Sequence, residues 1–124
     1  MIKVKYQLTT INVKNLDESI NFYSNILDMK VINRFSPNKG VEIAFMKGEE
    51  PIVIELIEGH DNCYNSGNIT LGFGVDSLEA TIKKLKTSNV EILGEPISVA
   101  NGVKILFAKD INGVKLSFLE NLKF

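Results

Sequence analysis

Apolar and β-branched residues run from Val4 to Val13, break at Asn15, and return as Leu16, Ile20, Tyr23 and Leu27 at helical spacing. That spacing predicts a strand followed by an amphipathic helix, with Asn15 and Glu18 placed as a capping box would place them. Three further strands are predicted over residues 30–35, 41–46 and 52–58. The turn-forming stretches 36–40 and 47–51 separate them, so they read as an antiparallel meander. A polar stretch over residues 59–67 interrupts the pattern. The same order then returns: a strand over 68–75, a helix over 78–86, and strands over 90–99, 103–109 and 114–120.

The chain repeats itself at an offset of 62 residues. Gly40, Val41, Ile43, Phe45 and Lys47 fall on Gly102, Val103, Ile105, Phe107 and Lys109, and Val13, Leu16, Ile20 and Glu58 fall on Val75, Leu78, Ile82 and Glu120. The matches keep to one parity of each strand. A shared buried face is therefore expected to hold Ile11, Val13, Val41, Ile43, Phe45, Ile54 and Leu56 under the first helix, with their mates under the second. In the run 52–57 both parities are apolar except at Glu55, so the opposite sheet face is not simply solvated. Two such sheets curling together, within one chain or across a dimer, would enclose an apolar cleft containing Glu55.

Composition narrows the classes. With 124 residues, 44% of them hydrophobic, the chain is expected to form one domain: module 1 over 1–58, a linker over 59–67 and module 2 over 68–124. Lysine and arginine total 14 against 15 acidic residues, without a cluster able to follow a row of phosphates, so nucleic acid is not expected as a partner. Neither a secretory apolar core near the N-terminus nor a run of about 20 apolar residues is present, and a cytoplasmic protein with no membrane association is expected. The single cysteine, Cys63, rules out an internal disulfide and a cysteine-based zinc cluster.

The opening from Ile11 to Tyr23 with Ile26, Leu27, Asp28 and Met29 after it, and the stretch Asp110-Ile111-Asn112-Gly113-Val114-Lys115-Leu116, resemble the signature segments of the glyoxalase/bleomycin-resistance/dioxygenase (vicinal oxygen chelate) superfamily. The resemblance spans nearly the whole chain. It implies an α+β fold in which two tandem βαβββ modules form a half-open mixed β-sheet barrel with helices on the outside, and assembly as a homodimer. Enzymes of the superfamily hold a divalent metal with His or Glu at four equivalent strand positions, and the metal polarises substrate oxygens as a Lewis acid. Carried onto this sequence, those positions are Leu8, Glu55, Thr70 and Ser117. One ligand of four survives, and neither an aliphatic side chain nor a neutral hydroxyl replaces the others. No metal and no cofactor are expected.

Glu55 stands out, because a carboxylate on an otherwise apolar strand face needs a partner, water or a use. It is read either as a ligand contact or acid/base candidate, or as a remnant held by a neighbouring Lys, hydroxyl or water. Thr10, Thr70 and Ser117 would offer hydroxyls to the same cleft, and Gly72 and Gly74 would leave room for a ligand; all are equally ordinary strand residues. Tyr6, Phe35 and Met46 are placed at the cleft mouth or in core and interface. His60 beside Cys63 in the connector reads as solvated rather than as half of a nucleophilic pair. The Gly72-Phe73-Gly74 run lacks the third glycine and the parallel framework of a dinucleotide site.

The expected function is a metal-independent small-molecule binding protein for an antibiotic or metabolite, with a cleft formed by Leu8, Thr10, Glu55, Thr70, Gly72 and Ser117. The alternatives are a glyoxalase-like metal-dependent lyase, isomerase or dioxygenase using Glu55 as base or ligand, and a non-catalytic interaction module.

Overall fold

Each half of the chain forms one four-stranded mixed sheet with a helix on one face, the α+β pattern of two tandem modules. The computed structural model describes residues 3, 7–49, 53–59 and 69–123. Tyr6, His60 and Cys63 lie outside the described residues. The chain divides into two units, Met1–Cys63 and Tyr64–Phe124.

In the first unit, β1 (Leu8–Val13) leads into α1 (Leu16–Asn21) and a π-helical turn, Phe22–Ile26. The strands β2 (Lys30–Asn38), β3 (Val41–Lys47) and β4 (Val53–Glu58) follow. The sheet order is β1-β4-β3-β2, with β1 parallel to β4 and the rest antiparallel. The second unit repeats this with β5 (Thr70–Val75), α2 (Leu78–Thr87), β6 (Glu91–Ser98), β7 (Lys104–Lys109) and β8 (Lys115–Glu120), in the order β5-β8-β7-β6.

The repeat extends to register and capping. Leu8 pairs with Val53 and Thr10 with Glu55; 62 residues on, Thr70 pairs with Lys115 and Gly72 with Ser117. Asn15 Oδ1 accepts from the Glu18 amide at 2.9 Å, and Ser77 Oγ accepts from the Ala80 amide at 3.1 Å. A carboxylate at the end of the neighbouring strand accepts the first helical amide in each unit: Leu16 N–H donates to Glu58 at 2.6 Å and Leu78 N–H to Glu120 at 2.8 Å. These acceptors satisfy amides that a helix start leaves without intrahelical partners, and their charge suits the positive end of the helix.

Three expectations change. The first helix does not continue regularly to Leu27: the π-helical turn adds a residue to the ladder, so adjacent Phe22 and Tyr23 both turn inward while Leu27 stays half-exposed. Strand β2 runs through the expected turn to Asn38, with a register shift between Phe35 and Asn38 where Pro37 brings no N–H to the ladder. The Ser36 hydroxyl donates to the carbonyls of Asn38 and Val41, leaving Gly40, at φ +83°, to make the reversal.

The third change is the parity of β3 and β7. Ala44 pairs with Leu56 and Met46 with Ile54; all four are buried on the helix side with Ile11 and Val13. Ile43 pairs with Ile57 and Phe45 with Glu55, so Val41, Ile43 and Phe45 lie on the other face, and Val103, Ile105 and Phe107 likewise. Ala44 is fully buried yet too small and too common a residue to mark a core strand, whereas the branched and aromatic residues beside it imitate one. Leu106 and Ala108 take the corresponding core positions in β7, packed with Leu116 and Phe118.

Candidate functional site

Cross-strand pairs share a face, so the register assigns the open face of each sheet rung by rung. In the first unit the rungs are Leu8, Val53, Lys47 and Lys30; Thr10, Glu55, Phe45 and Asn33; and Asn12, Ile57, Ile43 and Phe35. In the second unit they are Thr70, Lys115, Lys109 and Glu91; Gly72, Ser117, Phe107 and Leu93; and Gly74, Leu119, Ile105 and Ile97. Leu8, Thr10 and Glu55 thus share the open face of one sheet, and Thr70, Gly72 and Ser117 that of the other.

The lone carboxylate has a hydroxyl partner. Thr10 Oγ1 donates to Glu55 Oε1 at 2.7 Å, with Glu55 half-buried and Thr10 exposed. The Phe45 ring stands on the same rung and packs against Phe35 with centroids 5.7 Å apart. In the second unit the equivalent pair is Gly72 and Ser117. Gly72 lets the serine and Leu119 come close to the strand backbone: a Cβ there would sit only 3.2 Å from both Ser117 Oγ and Leu119 Cδ1. Ser117 itself is only 7% exposed. Met46, considered for the cleft mouth, belongs to the core instead.

Lys115 and Phe107 were not among the residues singled out from the sequence. Lys115 Nζ lies 4.5 Å from the Phe107 ring centroid, a cation–π contact on the open face beside Ser117. Their signal was available in the chain: Lys115 shares the parity of Ser117 on its strand, and Phe107 falls opposite that serine. On the helix side of the first sheet, Arg34 bridges Asp17 at 2.8 Å and Glu42 at 2.9 Å. The hydrogen bond to Glu42, then that to Asp17, raises the guanidinium pKa above its ordinary value. This network ties β2 and β3 to α1 and lies away from the open face.

The Asp110-Ile111-Asn112-Gly113 segment is a turn rather than a ligand loop. Asp110 Oδ1 accepts the amides of Asn112 and Val114, each at 2.8 Å, and Gly113 takes φ +87°. The turn sets the entry of β8, and so the positions of Lys115 and Ser117.

The four carried-over metal positions comprise one carboxylate already holding a hydroxyl proton, two neutral hydroxyls and an isobutyl group. Lys115, opposite Thr70, adds a positive charge. This donor set does not fit a divalent metal, which needs several anionic or imidazole ligands. Among the described residues, no three His, Cys, Asp or Glu side chains gather as a metal site would require. No helix among them is long and apolar enough to cross a membrane.

The family model described as Glyoxalase/Bleomycin resistance protein/Dioxygenase superfamily matches residues 5–118. A lactoylglutathione lyase of Haemophilus influenzae is 29% identical, with 91% of this chain and 90% of that protein covered. A probable lactoylglutathione lyase of Vibrio cholerae is 31% identical, with 91% and 88% covered. The structure of a glyoxalase family protein from Bacillus cereus superposes with a TM-score of 0.83 at 18% identity, covering 99% of this chain and 97% of that one, which shows the shared fold.

Proposed function

The chain belongs to the Glyoxalase/Bleomycin resistance protein/Dioxygenase superfamily, and from that premise we propose that it is a metal-independent protein that binds a small metabolite or antibiotic. The observation that carries the reading is the chemistry at Leu8, Glu55, Thr70 and Ser117. The superfamily's metal positions here carry an isobutyl group and a carboxylate on the open face of the first sheet and two hydroxyls on that of the second, with the carboxylate hydrogen-bonded to Thr10. Aromatic and aliphatic side chains around a few directed polar groups are the usual make-up of a small-molecule site. On the first sheet Phe45 supplies the former and Thr10 with Glu55 the latter; on the second, Phe107 supplies the former and Thr70 with Ser117 the latter. The binding form is a homodimer, since Val31, Ile32 and Phe35 stand exposed on the edge strand β2, an arrangement that invites a partner chain.

The test combines metal analysis of protein purified without chelator, light scattering, and a melting screen against metabolites and antibiotics. A native-state ligand raises apparent stability by mass action. The expected result is substoichiometric metal, a dimer and at least one stabilising organic ligand. One tightly held metal per chain refutes the proposal. That outcome would favour the second reading, a metal-dependent lyase, which rests on relatives named lactoylglutathione lyase that share about three residues in ten over nine-tenths of the chain.

A further inference from the structure

The second sheet carries a charge pattern that its own fold does not explain. Lys115 and Lys109 are direct cross-strand partners on the open face, where like charges oppose one another. Thr70 lies on the other side of Lys115. Glu91 faces Lys109 from the edge strand β6, but among the described residues neither lysine forms an ion pair. Lys115 is on an inner strand and half-buried, so it is not a solvated edge charge. Its ammonium rests against Phe107, which fixes its direction on the face without neutralising it. One rung along, Ser117 offers a hydroxyl beside Gly72, which adds no side chain to cover it.

The first sheet also opposes two lysines on its open face, Lys47 and Lys30, but its inner strand β4 carries no lysine. Val53 stands where Lys115 does, Leu8 where Thr70 does, Thr10 where Gly72 does, and Glu55 where Ser117 does. What is particular to the second unit is Lys115 itself, standing between Thr70 and Lys109 on its rung and against the Phe107 ring.

We propose that the open face of the second sheet binds the carboxylate or phosphate group of a small ligand, held by Lys115 with Lys109, Thr70 and Ser117. This deepens the binding-protein reading and rests on it. An oxyanion between the two ammonium groups converts their repulsion into two charge-assisted contacts, and the hydroxyls supply directed donors to its remaining lone pairs. Strand spacing suits one such group: Thr70 lies about 4.8 Å from Lys115 across the pair, and Ser117 about 6.6 Å further along the strand.

Benzoate, phenyl phosphate and neutral benzamide present one ring with three head groups. Each is titrated into the full, isotopically labelled chain while the Lys115 side-chain and Ser117 amide resonances are followed. The proposal expects saturable shifts at both residues with benzoate or phenyl phosphate, and at least tenfold weaker binding of benzamide. Whichever oxyanion binds more tightly identifies the head group. Lys115→Met is expected to lower oxyanion affinity at least tenfold without changing that for benzamide, and Lys115→Arg to restore the preference. Equal affinity for benzamide, shifts confined to other residues, or an unchanged preference in Lys115→Met would overturn it. Failure here is separable from failure of the binding reading: a stabilising ligand from the melting screen whose affinity ignores Lys115→Met leaves that reading standing and removes this one.

Discussion

Thr10→Val tests whether the Glu55 carboxylate is held in place by its strand neighbour. Valine keeps the shape and strand preference of threonine and removes only the donor of the 2.7 Å bond. A hydrogen bond to a charged acceptor contributes about 1.5–3 kcal/mol when sheltered from water. Thr10 is exposed and Glu55 half-buried, so solvent screening brings the expected loss down to about 0.5–1 kcal/mol. Packing changes are separated by a double-mutant cycle with Glu55→Met, in which the pair should show a coupling of about 0.5–1 kcal/mol. The chain has no tryptophan, so urea unfolding is followed by far-ultraviolet circular dichroism. A coupling below about 0.2 kcal/mol, under the error for independent sites, would mean that the hydroxyl does not hold the carboxylate, and the remnant explanation of Glu55 would lose its partner.

Gly59→Ala should destabilise far more than a surface change. Gly59 sits at φ +107° with the position of a Cβ only 2.1 Å from the Gly40 carbonyl oxygen, so conformational strain and a backbone clash together predict about 3 kcal/mol or more in the same urea assay; a loss under about 1 kcal/mol would refute this. Glu58→Ala and Glu120→Ala should each cost about 1–2 kcal/mol by leaving the Leu16 or Leu78 amide without its carboxylate, whereas Gln, which still accepts, should lose only about 0.3–1 kcal/mol of charge–dipole attraction. Indistinguishable Ala and Gln variants would show that these carboxylates do not anchor the helices.

The sequence was most legible where a residue type has one common structural use. Asn15 three residues before Glu18 marked the first helix start, and Gly40 in the stretch 36–40 marked a reversal, because cap and positive-φ positions narrow the choice of residue. The offset of 62 made Leu8 equivalent to Thr70 and Glu55 to Ser117, and the two sheets hold these residues at matching register positions. Parity was less legible. On β3 both faces are apolar, Glu42-Ile43-Ala44-Phe45-Met46 alternating between two hydrophobic sets, and hydrophobicity does not say which set meets the helix. The π-helical turn was invisible for a similar reason, since Phe22 and Tyr23 are both acceptable inside and only the ladder decides that both go there. Lys115 was passed over because it belongs to a turn-and-strand motif that explains its neighbours without it.

The corrected parity gives the internal repeat a different meaning. Val41, Ile43, Phe45 and Lys47 are identical to Val103, Ile105, Phe107 and Lys109, and they stand on the open faces. On the helix side the copies differ by exchange of volume: Ala44 and Met46 in one strand are Leu106 and Ala108 in the other, so a small residue beside a large one becomes a large residue beside a small one. Cores tolerate such trades while total volume holds. The open face has no such freedom to compensate, yet its four central positions have all diverged, from Leu8, Thr10, Val53 and Glu55 to Thr70, Gly72, Lys115 and Ser117. A duplicated sheet that only needed to bury these positions would keep them apolar in both copies. One copy instead holds a carboxylate with its hydroxyl donor, and the other a lysine with hydroxyls and a glycine. On the binding proposal, Glu55 and Lys115 are the residues, one on each open face, whose substitution should alter ligand choice with the least effect on the fold.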